Sequence, residues 1–109
     1  MKLAVIGSRD FNDYNLLKSE LDKIFITMII SGGAAGADDF SQRYAKENGL
    51  PILIFYPNWN KEGKSAGYKR NVKIIKACDE VIAFWDGKSK GTQHGINLAK
   101  DKKVKIINF

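Results

Sequence analysis

The sequence predicts a three-layer α/β domain: a five-stranded parallel sheet, strand order 3-2-1-4-5, with helices on both faces. Three observations predict it. Five apolar runs alternate with four segments of helical period. The first four runs are almost unbroken in apolarity, as parallel strands covered on both sides must be. Polar, glycine-bearing loops follow three of the runs directly.

The elements follow in chain order. Residues 3–6 form the first strand, and Asp13 or Asn12 caps a helix whose Leu17, Leu21 and Ile24 recur at i, i+4 and i+7. Residues 28–30 form the second strand. Phe40 and Tyr44 mark the inner face of the second helix, which Gly49 and Pro51 end. Residues 52–56 form the third strand, and a loop from Gly63 to Gly67 leads into a helix with Asn71, Ile74, Ile75 and Cys78 on one face. Residues 81–85 form the fourth strand, followed by a helix that turns Gly95, Leu98 and Ala99 inward. Residues 104–107 alternate around Lys105, which suits an edge strand. Right-handed crossovers place these helices on two faces, with a switch point between the first and fourth strands. Ligands bind at the carboxyl ends of strands beside such a point, so the loops after Ile6, Ile30 and Trp85 are the ones to read.

Bulk properties exclude several classes. With 109 residues, 44% of them apolar, the chain can bury a core without disulfide or metal staples. The single cysteine, Cys78, has no partner for a disulfide and no neighbours at metal-ligand spacing, so a small buried residue is expected, with no metal and no cofactor. No run nears the roughly 18 apolar residues of a membrane span, and the opening run is too short for a signal peptide, so a cytoplasmic protein is expected. The net charge of +6 admits an anionic partner without naming one.

The three loops carry the chemistry. The first is Gly7-Ser8-Arg9-Asp10-Phe11, the second Ser31-Gly32-Gly33-Ala34-Ala35-Gly36-Ala37-Asp38, and the third Asp86-Gly87-Lys88-Ser89-Lys90-Gly91-Thr92. Glycine lets a backbone turn sharply and lets a phosphate reach main-chain N–H groups, and a helix N-terminus adds free donors and positive charge. Glycines after a strand also serve plain tight turns, but two such helix starts at one sheet edge favour a ligand. A Walker A loop is excluded, because Ile82 and Asn58 stand where its first glycine belongs ahead of Gly87-Lys88-Ser89 and Gly63-Lys64-Ser65. The dinucleotide fingerprint is absent too, since Gly7 stands alone after the first strand.

Other polar residues divide by role. Arg9 is placed to contact phosphate, and Asp38 either caps a helix dipole or binds ribose. Arg70 and Asn71 follow the Gly63-to-Gly67 loop, with Asn71 either satisfying backbone groups or reaching a ligand. His94 reads as an exposed first-turn residue. Tyr56, Trp59 and Trp85 read as packing or strand-end shields ahead of base stacking.

The three loops, with Ala66-Gly67, Arg70-Asn71 and Ala83-Phe84-Trp85, resemble the SLOG superfamily and, within it, the small YspA-like proteins. The pieces occur in the same order over nearly the whole chain. The resemblance implies a Rossmann-like fold that binds nucleotides or their derivatives, with self-association as a further property. Some relatives are sensors of nucleotide signals. The LOG-type enzymes release a base from a nucleoside 5′-monophosphate, and DNA-processing relatives bind single-stranded DNA. The LOG motif Pro-Gly-Gly-x-Gly-Thr-x-x-Glu aligns its Gly-Thr with Gly91-Thr92, which puts Gly95 where its glutamate belongs.

Three functions follow in order of expectation. The first is a sensor or binding module, the whole chain forming one domain that holds a nucleotide-derived ligand between the second and third loops. The second is a nucleotide N-glycosidic hydrolase using Asp10, Asp38 or Asp86 as its carboxylate. The third is a single-stranded nucleic-acid binder using Lys61, Lys64, Lys69, Arg70 and Lys73.

Overall fold

The computed structural model describes residues 1–109. The chain runs β1 (Lys2–Gly7), α1 (Tyr14–Leu21), β2 (Met28–Ser31), α2 (Ala37–Glu47), β3 (Ile52–Ile54), α3 (Trp59–Glu62), a 3-10 turn (Gly63–Ser65), α4 (Ala66–Ala77), β4 (Glu80–Trp85), α5 (Lys90–Leu98) and β5 (Lys103–Asn108). The strands lie in the order β3-β2-β1-β4-β5 and every neighbouring pair is parallel. This is the doubly wound order expected from the crossovers.

Alternation along each strand sorts the apolar side chains into two layers. Leu3 and Val5 join Ile29, Ile82 and Phe84 on one face, where α1 and α2 contribute Leu17, Leu21, Tyr44 and Ala45. Ala4 and Ile6 join Ile30, Val81 and Ala83 on the other, against Ile74, Ile75, Cys78 and Ala99. Each fully buried Leu or Ile contributes about 1.5–3 kcal/mol. Exposed ion pairs such as Lys18–Asp22 and Arg43–Glu47 are screened by solvent and add little, so the two layers hold the fold. Asp13 caps α1, accepting from the Leu16 N–H at 3.0 Å, and α2 ends where Gly49 takes a φ of 64°.

Four details depart from the expected pattern. β3 ends at Ile54; Phe55 packs into the second layer and Tyr56 turns over the loop after β2. Leu53 is 41% exposed, because β3 is the outer strand and α4 packs chiefly over β1 and β2. Leu98 is 37% exposed; Thr92 and Gly95 of α5, with Ala99 just beyond its end, face inward instead. The Gly63-to-Gly67 segment is a 3-10 turn running into the first turn of α4, preceded by the short α3, whose cap Asn58 accepts from the Lys61 N–H at 3.1 Å. No helix is long and apolar enough to cross a membrane.

Candidate functional site

The loops after β1 and β4 are tied together at the switch point. Ser8 does this from a buried position: its N–H donates to the Phe84 carbonyl (2.9 Å), and its Oγ accepts from the Asp86 N–H (3.3 Å). Phe11 fixes the far end of the first loop, its ring 4.8 Å from that of Phe84 and 5.9 Å from that of Phe40. Arg9 and Asp10 lie exposed between these two anchors.

The third loop is organised by Asp86. Its Oδ1 accepts from the N–H groups of Lys88 and Ser89, both at 2.8 Å, and these donors hold its carboxyl below the usual carboxylate range. The Trp85 indole N–H donates to the Ser89 carbonyl at 3.0 Å. Ser89 occupies the cap position of α5, yet its Oγ meets the Thr92 hydroxyl at 3.2 Å and caps no backbone group. The first-turn N–H groups of α5 therefore keep their donors and the positive end of the helix.

The second loop differs in character. A side chain at Gly32 would strike the Arg70 guanidinium, 2.6 Å away, and Arg70 donates to the Gly32 carbonyl. Gly33 lies under the Tyr56 ring, and Gly36, at φ 75°, presses on the Ser8 and Arg9 carbonyls. These three glycines make room for the protein's own groups. Arg70 Nε also donates to Asn71 Oδ1 (3.1 Å), so the Asn71 amide nitrogen faces the Gly91 carbonyl (3.2 Å) and His94 Nδ1 (3.3 Å). A chain of polar contacts thus runs from the end of β2 through α4 to α5.

These loops enclose a cavity of about 520 Å³ at the carboxyl edge of the sheet. Among the residues expected at a site, Gly7, Ser8, Arg9, Asp38, Arg70, Asn71, Asp86, Ser89, Gly91 and Thr92 line it, as does Asp10. Ser31, Gly32, Gly33, Gly36 and Gly87 do not. Ser31 is fully buried, and its hydroxyl makes no close hydrogen bond, lying only near enough to the Asp38 carboxyl to favour its charged form. The three second-loop glycines are covered as described, and Gly87 turns the chain at φ 81° with open space beside it. Gly95 also lines the cavity; a side chain there would meet Ile6 Cδ1 at 2.9 Å, so close helix-to-strand packing accounts for its glycine.

Sequence reasoning missed Tyr68 and Ile74 as lining residues, used Gly67 only for the family resemblance, and placed Trp59 among shields and Lys64 among the lysines of the nucleic-acid reading. Helical spacing was the available signal, because Gly67, Asn71 and Ile74 recur at i, i+4 and i+7 on α4. His94, expected to be exposed, is half-buried with its ring 4.5 Å from that of Tyr68.

Asp38 is the one buried carboxyl in the cavity. Its Oδ2 accepts from the Ala34 N–H at 3.0 Å. Burial pushes its carboxyl above the usual value of 3.8, and the Ala34 N–H and the Arg70 charge oppose that shift. Native Asp38 thus binds its proton more tightly than unfolded Asp38, and folding at pH 7 carries a cost that vanishes below pH 3.8, where both states are protonated. Asp38→Asn is expected to raise the unfolding midpoint at pH 7, with a gain that shrinks as pH falls through the raised native value toward 3.8. Thermal unfolding across that range checks it, and a gain undiminished in acid would assign the effect to something other than ionisation.

Comparison with known proteins adds three findings. The YAcAr family model, described as "YspA, cpYpsA-related SLOG family", matches residues 1–61. The chain is similar to the Gene 61 protein of Mycobacterium phage D29, with 31% identity over 99% of this chain and 95% of that protein. Its fold is similar to that of DNA processing protein A (DprA) from Streptococcus pneumoniae, with a TM-score of 0.77 at 19% identity. That match covers 99% of this chain and 50% of the other, so this chain spans about half the length of that protein.

Proposed function

The chain belongs to the YspA, cpYpsA-related SLOG family, and from that premise we propose that it is a binding module for a nucleotide or nucleotide-derived ligand, acting as a sensor or carrier. The observation that carries the reading is the uncapped N-terminus of α5, which opens on a cavity that Arg9 and Arg70 also line. Free N–H donors, a positive helix end and two guanidinium groups are what a phosphate monoester needs. The volume of about 520 Å³ falls within the range of small-molecule sites. Asp86 supports the arrangement indirectly, by using the N–H groups of Lys88 and Ser89 and so fixing the loop from which α5 begins.

The test is thermal unfolding against AMP, ATP, NAD, ADP-ribose and cyclic nucleotides in moderate salt. A ligand at about 100 times its dissociation constant adds roughly 2.7 kcal/mol, which raises the midpoint by roughly 10–20 °C. Arg9 is exposed and makes no ion pair. Arg9→Ala is therefore expected to leave the ligand-free midpoint unchanged and to remove most of the shift. No shift with any compound, or a full shift in Arg9→Ala, would overturn the reading.

Hydrolysis of an N-glycosidic bond is the second reading, and one observation favours it: a buried carboxyl with a raised affinity for its proton, Asp38, lines the cavity. Asp86 is a poorer proton donor at neutral pH, because the N–H groups of Ser89 and Lys88 stabilise its ionised form. Free base released from nucleoside monophosphates by stoichiometric protein, and absent with Asp38→Asn, would favour this reading over simple binding. Single-stranded nucleic acid ranks third. Lys69 of the expected basic stripe is paired with Glu62 at 3.6 Å, which partly neutralises it.

A further inference from the structure

We infer that Trp59 is the residue that reads the base: its exposed indole is a stacking platform at the cavity wall, and the ligand is one that carries a planar heteroaromatic ring. The inference rests on the phosphate site proposed above and adds to it a second, separable subsite.

Trp59 has the marks of a side chain held ready rather than packed away. It is 52% exposed and belongs to neither core layer. It pairs with no other aromatic ring, whereas the other aromatic lining residue, Tyr68, already packs against His94, with tilted rings whose centroids lie 4.5 Å apart. The backbone around Trp59 is nonetheless fixed. Asn58 caps the short α3 that begins at Trp59, and the Ser65 hydroxyl donates to the Glu62 carbonyl at 2.8 Å where α3 gives way to the 3-10 turn. A side chain on Gly67 would lie 3.6 Å from Trp59 Cη2, so the indole edge rests over the start of α4. An unpartnered indole carried on a fixed backbone at the wall of a polar cavity presents a π-face to whatever enters.

The cavity also exceeds what a phosphate alone would fill. A phosphate at the α5 N-terminus engages Arg9, Arg70 and main-chain donors, which leaves the ring of a base to be held by other lining residues. The lining holds few apolar side chains, and Trp59 is the largest of them. Stacking a base on an aromatic side chain contributes about 1–3 kcal/mol per base, which corresponds to roughly 5- to 150-fold in affinity.

The experiment titrates the wild-type chain, Trp59→Ala and Trp59→Phe with ribose 5-phosphate and with the four nucleoside 5′-monophosphates. The wild type is expected to bind at least one nucleotide roughly tenfold or more tighter than ribose 5-phosphate. Trp59→Ala is expected to lose that advantage while keeping its affinity for ribose 5-phosphate, and Trp59→Phe to retain most of it. If the wild type binds ribose 5-phosphate and every nucleotide equally, or Trp59→Ala keeps the nucleotide advantage, the platform is refuted while the phosphate site stands. If neither class of compound binds the wild type, the phosphate site fails and the platform fails with it.

Discussion

Replacing Gly36 with alanine is expected to lower the unfolding midpoint by roughly 12–24 °C. Gly36 has φ 75° and ψ −125°, a conformation open almost only to glycine, and forcing another residue into it costs about 1–3 kcal/mol. A methyl group there would also collide with the Ser8 and Arg9 carbonyls, which belong to the clamp between the first and third loops. Together these effects amount to about 3 kcal/mol, and each kcal/mol moves the midpoint of a domain this size by about 4–8 °C. Gly91→Ala is the contrasting control. Gly91 has open space around it and sits in a helix, where alanine gains roughly 0.5–1 kcal/mol. Calorimetry of the two variants beside the wild type checks both signs. Equal midpoints would mean that the second loop does not hold the first.

The second large effect is on binding. Arg70→Ala is expected to weaken the ligand found by the thermal panel by roughly 10- to 150-fold, since a hydrogen bond to a charged group contributes about 1.5–3 kcal/mol. Arg70 is placed for this by its own contacts: Nη1 donates to the Gly32 carbonyl and Nε to Asn71, which fixes the plane of the fork. Arg70→Lys should rescue little, because an ammonium cannot make the two directed bonds that hold the fork in place. Titration calorimetry on folded variants measures both. Wild-type affinity in a folded Arg70→Ala chain would place the phosphate elsewhere in the cavity.

Much of the fold was legible because it is written in local signals. Runs such as Val81 to Trp85 have one reading in a chain of this composition, and the Asp13 cap and the Gly49 stop are single-residue signals with direct causes. The errors have causes too. Phe55 and Tyr56 look like strand residues by apolarity, yet one turns into the second layer and the other covers Gly33. The four-residue α3 is too short to show a period. The site was half legible. Gly7 to Asp10 of the first loop and Asp86, Ser89, Gly91 and Thr92 of the third line the cavity, because these residues lie within a few positions of one another in sequence. Asp38 of the second loop lines the cavity, but Gly32 lies off it because it accommodates Arg70, a partner 38 residues away that no local pattern reveals. A glycine that admits a phosphate and a glycine that admits an arginine look the same in one dimension.

The central position of β1 has a consequence for how the chain folds. Leu3 pairs with Ile29 on one side and with Glu80 on the other, so the strand made first is completed only by a segment made late. Closing so long a loop delays the reward of pairing, which slows folding relative to a helical bundle of equal length. Until β4 arrives, one edge of β1 stays open, and open edges invite association with other chains. Two carriers of the proposed site, Arg9 and the start of α5, lie on opposite sides of that closure. No N-terminal fragment ending before α5 contains both, so the proposed binding requires β4 and α5 to be in place beside β1.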